Sequence, residues 1–599
     1  MTNEQIRPRD AVESRYKWHL EDIYPDFAAW EADFERAKTA VADMKAAQSA
    51  LKPGRDEILA VLERSMALTR LVERLYAFAR MRRDEDSRIP QSQAAADRAE
   101  TLAVQASEAT AFLRPALLAM PESLLKDCMQ DAAFDEYTRL LASVLRHRPH
   151  TLPAEQETLL AGAGELANAP STIYTLFTEA DLTFPDITGE DGKPCTVSDA
   201  RLLTLLGSRD GRVRKEAYES VMNTYGRYGN TFASIYGASV KADVFFARTH
   251  RFSSAIEASL FDSEIPVQVY DALQTAIDER LPALNRYLAL RKRALGLEAL
   301  HMWDLYVDTV ADYEMKLTYD EAFDLVLRAL APLGRDYVDV LARARDAGWV
   351  DVMENAGKHH GAYSWGVYGV HPYVMMNFEG TFDSASTLAH ELGHAMHSYF
   401  SNQAQPFAKA DYTLFAAEVA STVNEVLLNA YLLEKESDPA ARQFLLGTLL
   451  EHFRTTVFRQ TLFATFERET HARQEKGEAL TRDTLCALYH EINRRFYGAS
   501  CVVDDAVQYE WMRIPHFYRA FYVYQYATGF SAAVCIARRI LREGEAAVEG
   551  YRKFLAAGGS LPPLDALRLA GVDMATPQPV REAMDWFEEI LGEMETLCQ

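Results

Sequence analysis

Cysteine is scarce in this chain. Six occur in 599 residues, at Cys128, Cys195, Cys486, Cys501, Cys535 and Cys598, and none forms a C-x-x-C pair. That spacing argues against a disulfide framework and a thiolate metal site, and reduced, buried thiols are expected. Glycine and proline are also sparse, 29 and 22 residues, about one residue in twelve against a usual figure of roughly one in eight, which favours long helices over many turns. Basic charge is in deficit: 63 Lys+Arg against 87 Asp+Glu leave a net charge of −24. With no basic patch visible, neither nucleic acid nor an anionic membrane is an expected partner. No stretch of about 18 residues is apolar and free of charge, and the N-terminal MTNEQIRPRDAVESRYKWHL has no apolar core of the signal-peptide kind, so a cytoplasmic chain without a membrane span is expected.

What is present is an ordinary globular composition, 48% hydrophobic and 25% charged, on a chain too long for one growing core, so two or more lobes are expected. From Asp26 to about Leu118 apolar residues recur three and four apart, with a break at Pro53-Gly54, as in stacked helical hairpins. Leu182 to Val197 alternates around a Glu190-Asp191-Gly192-Lys193 turn and reads as a hairpin. A boundary just beyond it divides the chain into an N-terminal helical domain, 1–200, and a second domain, 201–599. Helical periodicity resumes from Ser198 to about Ala347, broken around Phe252 to Pro266 and His301 to Glu314. A second strand-like region, Gly361 to Phe378, is rich in Tyr, Val and Trp. From Thr387 onward the pattern is helical, apart from loops such as Ser401 to Phe407 and Gly558 to Pro563. No internal repeat or low-complexity tract is present.

Chemistry concentrates in DSASTLAHELGHAMHSYF, Asp383 to Phe400, which opens with Asp383 and Ser384 as candidate N-caps. On a helix His390 and His394 project from one face on consecutive turns, close enough to grip one metal ion at about 2.0 to 2.1 Å each. Glu391 is offset by roughly 100° and reaches a bound water rather than the metal. This H-E-x-x-H set supplies two nitrogen ligands and a general base. The bland alternative is a chance pentapeptide whose histidines are a solvated or core pair.

A catalytic zinc takes a third protein ligand. His397 shares the face but lies roughly 10 Å further along the axis than His390, which fits packing or a supporting contact better. The metzincin pattern is excluded, since positions 397 and 400 are His and Phe rather than Gly and His. The following helical stretch, Leu414 to Glu434, carries Glu418 among small residues that permit close helix approach, and Glu418 is the expected third ligand. Asp411 is a weaker rival. Glu425, two turns on, is placed to hydrogen-bond a ligating histidine, its alternative being a surface or ion-paired glutamate.

The segments TLAHELGHAMHSYF, FAAEVASTVNE and RIPHFYRAFYVYQYATGF closely resemble the oligoendopeptidase F branch of the thimet oligopeptidase family of zinc metallopeptidases, and WHLEDIYPDFAAWEADF near the N-terminus is compatible with it. The resemblance implies a mainly α fold, a helical ellipsoid with a deep substrate channel and a zincin-type core with a small β-sheet beside the active-site helix. It implies one Zn2+ on His390, His394 and Glu418, Glu391 as general base, and short unfolded peptides as substrates, cut at internal bonds. His516 matches the family's substrate-contacting histidine. Tyr522 is the first choice for the tyrosine beside it at the oxyanion, with Tyr524 or Tyr526 in reserve, because Arg519 and Ala520 replace the glycine-rich stretch of the thimet branch. Phe517, Phe521 and Tyr524 also fit a buried helical stripe, so the two Phe are assigned to packing. The Gly361 to Phe378 strands offer an edge for an extended peptide, with Tyr368 and His371 as contacts there or, more simply, turn and packing residues. Two other functions compete: a catalytically silent peptide-binding protein, and a carboxypeptidase in which Arg513 or Arg519 holds the substrate's free carboxylate.

Overall fold

The computed structural model of the chain describes residues 6–310, 313 and 315–598. The expected signal-free N-terminus therefore lies partly outside the described residues, as does the break at His301 to Glu314. The described residues are mainly α-helical with two small sheets, and none of their helices is long and apolar enough to cross a membrane.

Three long helices open the chain: α1 (Phe27–Ala50), α2 (Arg55–Glu85) and α3 (Pro90–Thr110). Asp26 caps α1 by accepting the Ala29 N–H at 2.8 Å, and Trp30, Phe34, Ala37, Val41 and Met44 follow as a buried stripe at helical spacing. The Pro53-Gly54 break separates α1 from α2, with Gly54 as the extended N-cap of α2, and Pro90 starts α3, where its missing N–H costs nothing. The expected hairpin forms as β1 (Ile187–Thr188) against β2 (Pro194–Cys195), turning at Gly192 with φ +78, a conformation that glycine adopts without strain.

The second sheet has three strands, β3 (Val350–Asp351), β4 (Tyr363–Trp365) and β5 (Tyr373–Met375), in the order β3-β5-β4. β3 runs parallel to β5, and β4 is antiparallel with Tyr363 opposite Met375. β3 lies outside the strand region read from the sequence, since a two-residue strand is too short to show an alternating pattern. Two helices follow, α4 (Phe382–Ala404) and α5 (Leu414–Lys435). Thr381 caps α4 through the Ser384 N–H at 3.2 Å, so Asp383 and Ser384 sit in the first turn. α4 also continues through Ser401 to Ala404, beyond the loop expected there.

Two compact units share the chain. The first comprises Met1–Pro149, Glu314–Tyr431 and Ile536–Val572. Its core joins Trp18, Trp30 and Phe78 to Tyr373 and Met375 of β5, and the Asp351 carboxylate of β3 is buried between Arg9 and Lys358. The second comprises His150–Tyr313, Leu432–Cys535 and Asp573–Gln599. Inside it the buried Arg291 and Arg454 share Glu451. Burial pushes the Glu451 carboxyl up, and the two guanidiniums overcome that and hold it below the usual range. The hairpin near residue 200 lies within this second unit, whose first segment begins at His150.

Candidate metal centre

α4 carries His390, Glu391 and His394, and α5 carries Glu418 and Glu425. The two helices meet closely because position 393 is glycine. A Cβ there would stand 2.5 Å from the Ser421 Cα and 2.7 Å from the Ala420 oxygen. Asn424, fully buried, spans the contact by donating to the Ala389 carbonyl at 3.0 Å while accepting from the Tyr337 hydroxyl at 3.0 Å.

Three ligand atoms converge across this contact. The Nε2 atoms of His390 and His394 are 3.1 Å apart, and Glu418 Oε2 lies 3.5 and 3.6 Å from them. Donors about 2.05 Å from a tetrahedral ion are about 3.4 Å apart, so the triad fits a zinc-sized cation. Among the described residues it is the one group of three His, Cys, Asp or Glu side chains whose ligand atoms lie within 4.8 Å of one another. Asp411 is not brought to the histidines. It lines a separate cavity with Glu73.

The ring orientations are fixed from behind. His390 Nδ1 donates to Glu425 Oε1 at 2.6 Å, which leaves Nε2 as the lone-pair atom facing the triad. The Ala417 carbonyl accepts from the His394 ring. Ser421 donates to Glu418 Oε2 at 3.3 Å. Burial lowers the His390 pKa, but the Glu425 hydrogen bond and the charges of Glu425, Glu391 and Glu418 outweigh it and bring it to about 9, so a cation at Nε2 competes with a proton for that lone pair. Burial and the His390 charge take His394 down to about 3. Glu391 is 7% exposed. Burial, aided by Glu418 and Glu425 and opposed by His390, lifts its carboxyl to about 7.

His397 is buried and stacks on Tyr412 with ring centroids 3.6 Å apart, a packing position. Tyr368 donates to the Gln405 carbonyl at 2.9 Å, and His371 lies flat on Trp349 with Nε2 3.0 Å from Asp22. In the second unit, the stripe Phe517, Phe521 and Tyr524 is buried but not on one helix. A 3-10 turn over Pro515–Tyr518 and a bend at Phe521, φ +54, precede α6 (Tyr524–Glu543). The Glu467 carboxylate accepts the Phe521 N–H at 2.7 Å and holds the bend. The same bend collects His516, Tyr522 and Tyr526: His516 and Tyr522 lie parallel at 6.1 Å, and the Tyr526 hydroxyl is 3.5 Å from His516 Nε2. Tyr524 instead turns inward against Tyr270. Arg513 is engaged by Asp199 at 3.2 Å, and Arg519 covers the Tyr522 ring.

Ser421, Asn424 and Gly393 were not singled out by motif reading. The signal for Asn424 is a buried polar residue inside an apolar helix, which needs a partner. For Gly393 it is a glycine in a helix interior, where it costs stability unless a close approach requires it.

A helical chain in which two histidines and a carboxylate converge, with a buried glutamate beside them, has the pattern of a metallopeptidase. Comparison with known proteins agrees. The sequence model of Peptidase family M3 matches residues 204–586, and that of Oligopeptidase F matches 117–184. Oligopeptidase PepF of Bacillus subtilis is 41% identical over 99% of this chain and 89% of its own length. Group B oligopeptidase PepB of Streptococcus agalactiae is 35% identical over 98% of each. The crystal structure of oligoendopeptidase-F from Enterococcus faecium superposes with a TM-score of 0.73 at 35% identity, covering 95% of this chain and 98% of that one. The chain belongs to Peptidase family M3, in its oligoendopeptidase F branch, and is a peptide-hydrolysing metallopeptidase.

Proposed function

We propose that the chain is a zinc endopeptidase cutting internal bonds of short, unfolded peptides, with His390, His394 and Glu418 holding the ion and Glu391 as general base. The observation that carries this reading is the convergence of three ligand atoms at tetrahedral spacing beside the buried carboxyl of Glu391. Zinc suits two imidazoles and one carboxylate with a fourth position left open, although cobalt and manganese accept the same donors. Held by His390, His394 and Glu418, zinc would supply Lewis acidity toward water and the scissile carbonyl.

Glu391 takes the proton of the attacking water and returns it to the leaving amine. Glu425 keeps the His390 ring in the ligating tautomer. His516 and Tyr522 are assigned to the oxyanion on the motif resemblance. Their parallel stacking, with Tyr526 alongside, supports this pair over Tyr524. The free edge of β4 is suited to pair with an extended peptide by main-chain hydrogen bonds.

Mass-spectrometric product analysis of mixed short peptides tests the reading. Wild type is expected to give internal cleavage, chelator-treated protein none, and Glu391→Gln a kcat lower by about 10²- to 10⁴-fold with the ion retained. Products shortened only at the C-terminus would point to a carboxypeptidase. Intact peptides with the ion bound would point to a silent binding protein.

A further inference from the structure

A cavity of about 990 Å³ opens in the first unit between α2, β4, the end of α4 and the 407–417 segment. That is at the upper end of the range of ligand pockets. It adjoins the metal centre through two elements. Ser398 and Asn402, which line it, lie one and two turns beyond His394 on α4, and Ala417 immediately precedes Glu418. At about 1.5 Å per residue these turns are roughly 6 and 12 Å from His394 along the axis. An extended peptide covers that in about two to four residues.

The lining is selective in charge. Asp84 is paired with Arg80 at 3.3 Å and Arg83 at 3.4 Å and accepts from the Tyr363 hydroxyl at 3.0 Å. Glu73, half-buried on α2, and the exposed Asp411 both line the cavity and have no salt-bridge partner among the described residues. The Tyr368 N–H and the more distant Arg70 relieve Glu73 only in part. Tyr76 and Trp365, with ring centroids 5.9 Å apart, form part of the wall. Paired carboxylates beside aromatic faces are how proteins receive cations, through charge-assisted hydrogen bonds and cation–π contact.

We propose that this cavity is a subsite for a positively charged group of the peptide, an ammonium or guanidinium, received by Glu73 and Asp411 within a few residues of the cleaved bond. The assignment rests on the chain's action as a peptidase at the His390, His394 and Glu418 centre. Burial and the charge of Asp411 lift Glu73 to about 7, so the empty pair favours a proton where an incoming cation supplies the compensating charge. The shared chemistry has two sources, the peptide's α-ammonium or a Lys or Arg side chain.

The test compares peptides that differ only by Lys or norleucine, scanned over four positions on each side of the cleaved bond, each with free and acetylated amino terminus. The readout is the Lys/norleucine ratio of kcat/KM within one enzyme, which cancels any general loss in a variant. Wild type is expected to prefer Lys at one position by about 10-fold or more, mainly through KM, with the ratio falling toward one in Glu73→Gln/Asp411→Asn. If acetylation alone removes the preference for the free peptide and the variant does not discriminate, the α-ammonium is the source. A preference that survives in the double variant, or no charge preference at any position, overturns the subsite while leaving hydrolysis intact. Should wild type cleave none of the peptides, their binding to it by fluorescence anisotropy decides. Selectivity that depends on Glu73 and Asp411 would then uphold the subsite and sink the peptidase reading alone, and its absence would sink both.

Discussion

His390 divides its work between two nitrogens: Nδ1 donates to Glu425, and Nε2 faces His394 and Glu418. Such outer contacts typically govern metal affinity by 10- to 100-fold. Glu425→Ala is therefore expected to weaken ion binding by that factor, measured by competition with a chromophoric chelator, with helix content by circular dichroism unchanged. The i, i+4 spacing of His390 and His394 is legible from the sequence because both lie on one helix. Glu425 is legible too, as a residue two turns beyond Glu418. Ser421 carries no such mark, since its hydrogen bond to Glu418 comes from the geometry of the folded chain.

At the level of elements, the centre depends on how near α4 and α5 lie. Gly393 sets that distance, because a methyl group there meets backbone atoms of Ala420 and Ser421 rather than a movable side chain. Gly393→Ala is expected to force the helices apart by up to about 1 Å and cut kcat/KM by about 100-fold, with ion content, measured by atomic emission, reduced in parallel. A variant with full ion content and activity would show the contact to be slack. The segment 515–526 shows the opposite limit of sequence reading. Phe517, Phe521 and Tyr524 have helical spacing and are buried, yet a 3-10 turn and a left-handed Phe521 intervene. Periodicity reports which residues are apolar, while the Glu467 acceptor that holds the bend is 54 residues away in the chain.

In the whole molecule each unit is assembled from three separated segments. Residues 1–200 supply α1, α2 and α3, which pack in one core cluster with Tyr373 and Met375 of β5, just ahead of α4. A fragment of residues 201–599 lacks that cover. It is expected to be insoluble or molten and to bind no stoichiometric ion, as judged by near-ultraviolet circular dichroism and ion content. A soluble fragment with a cooperative melt and one bound ion would show this core to be dispensable.

The sequence by itself determined the helical character, from sparse glycine and proline and three-to-four periodicity, and it placed His390, Glu391 and His394 on one helix, because their relation is set by spacing along that single helix. Only the tertiary structure decided how α4 and α5 meet at Gly393, which tyrosines gather around His516, and that Asp411 joins Glu73 in a cavity rather than joining the histidines. Those outcomes depend on contacts between residues far apart in the chain, where neither local propensity nor periodicity carries information.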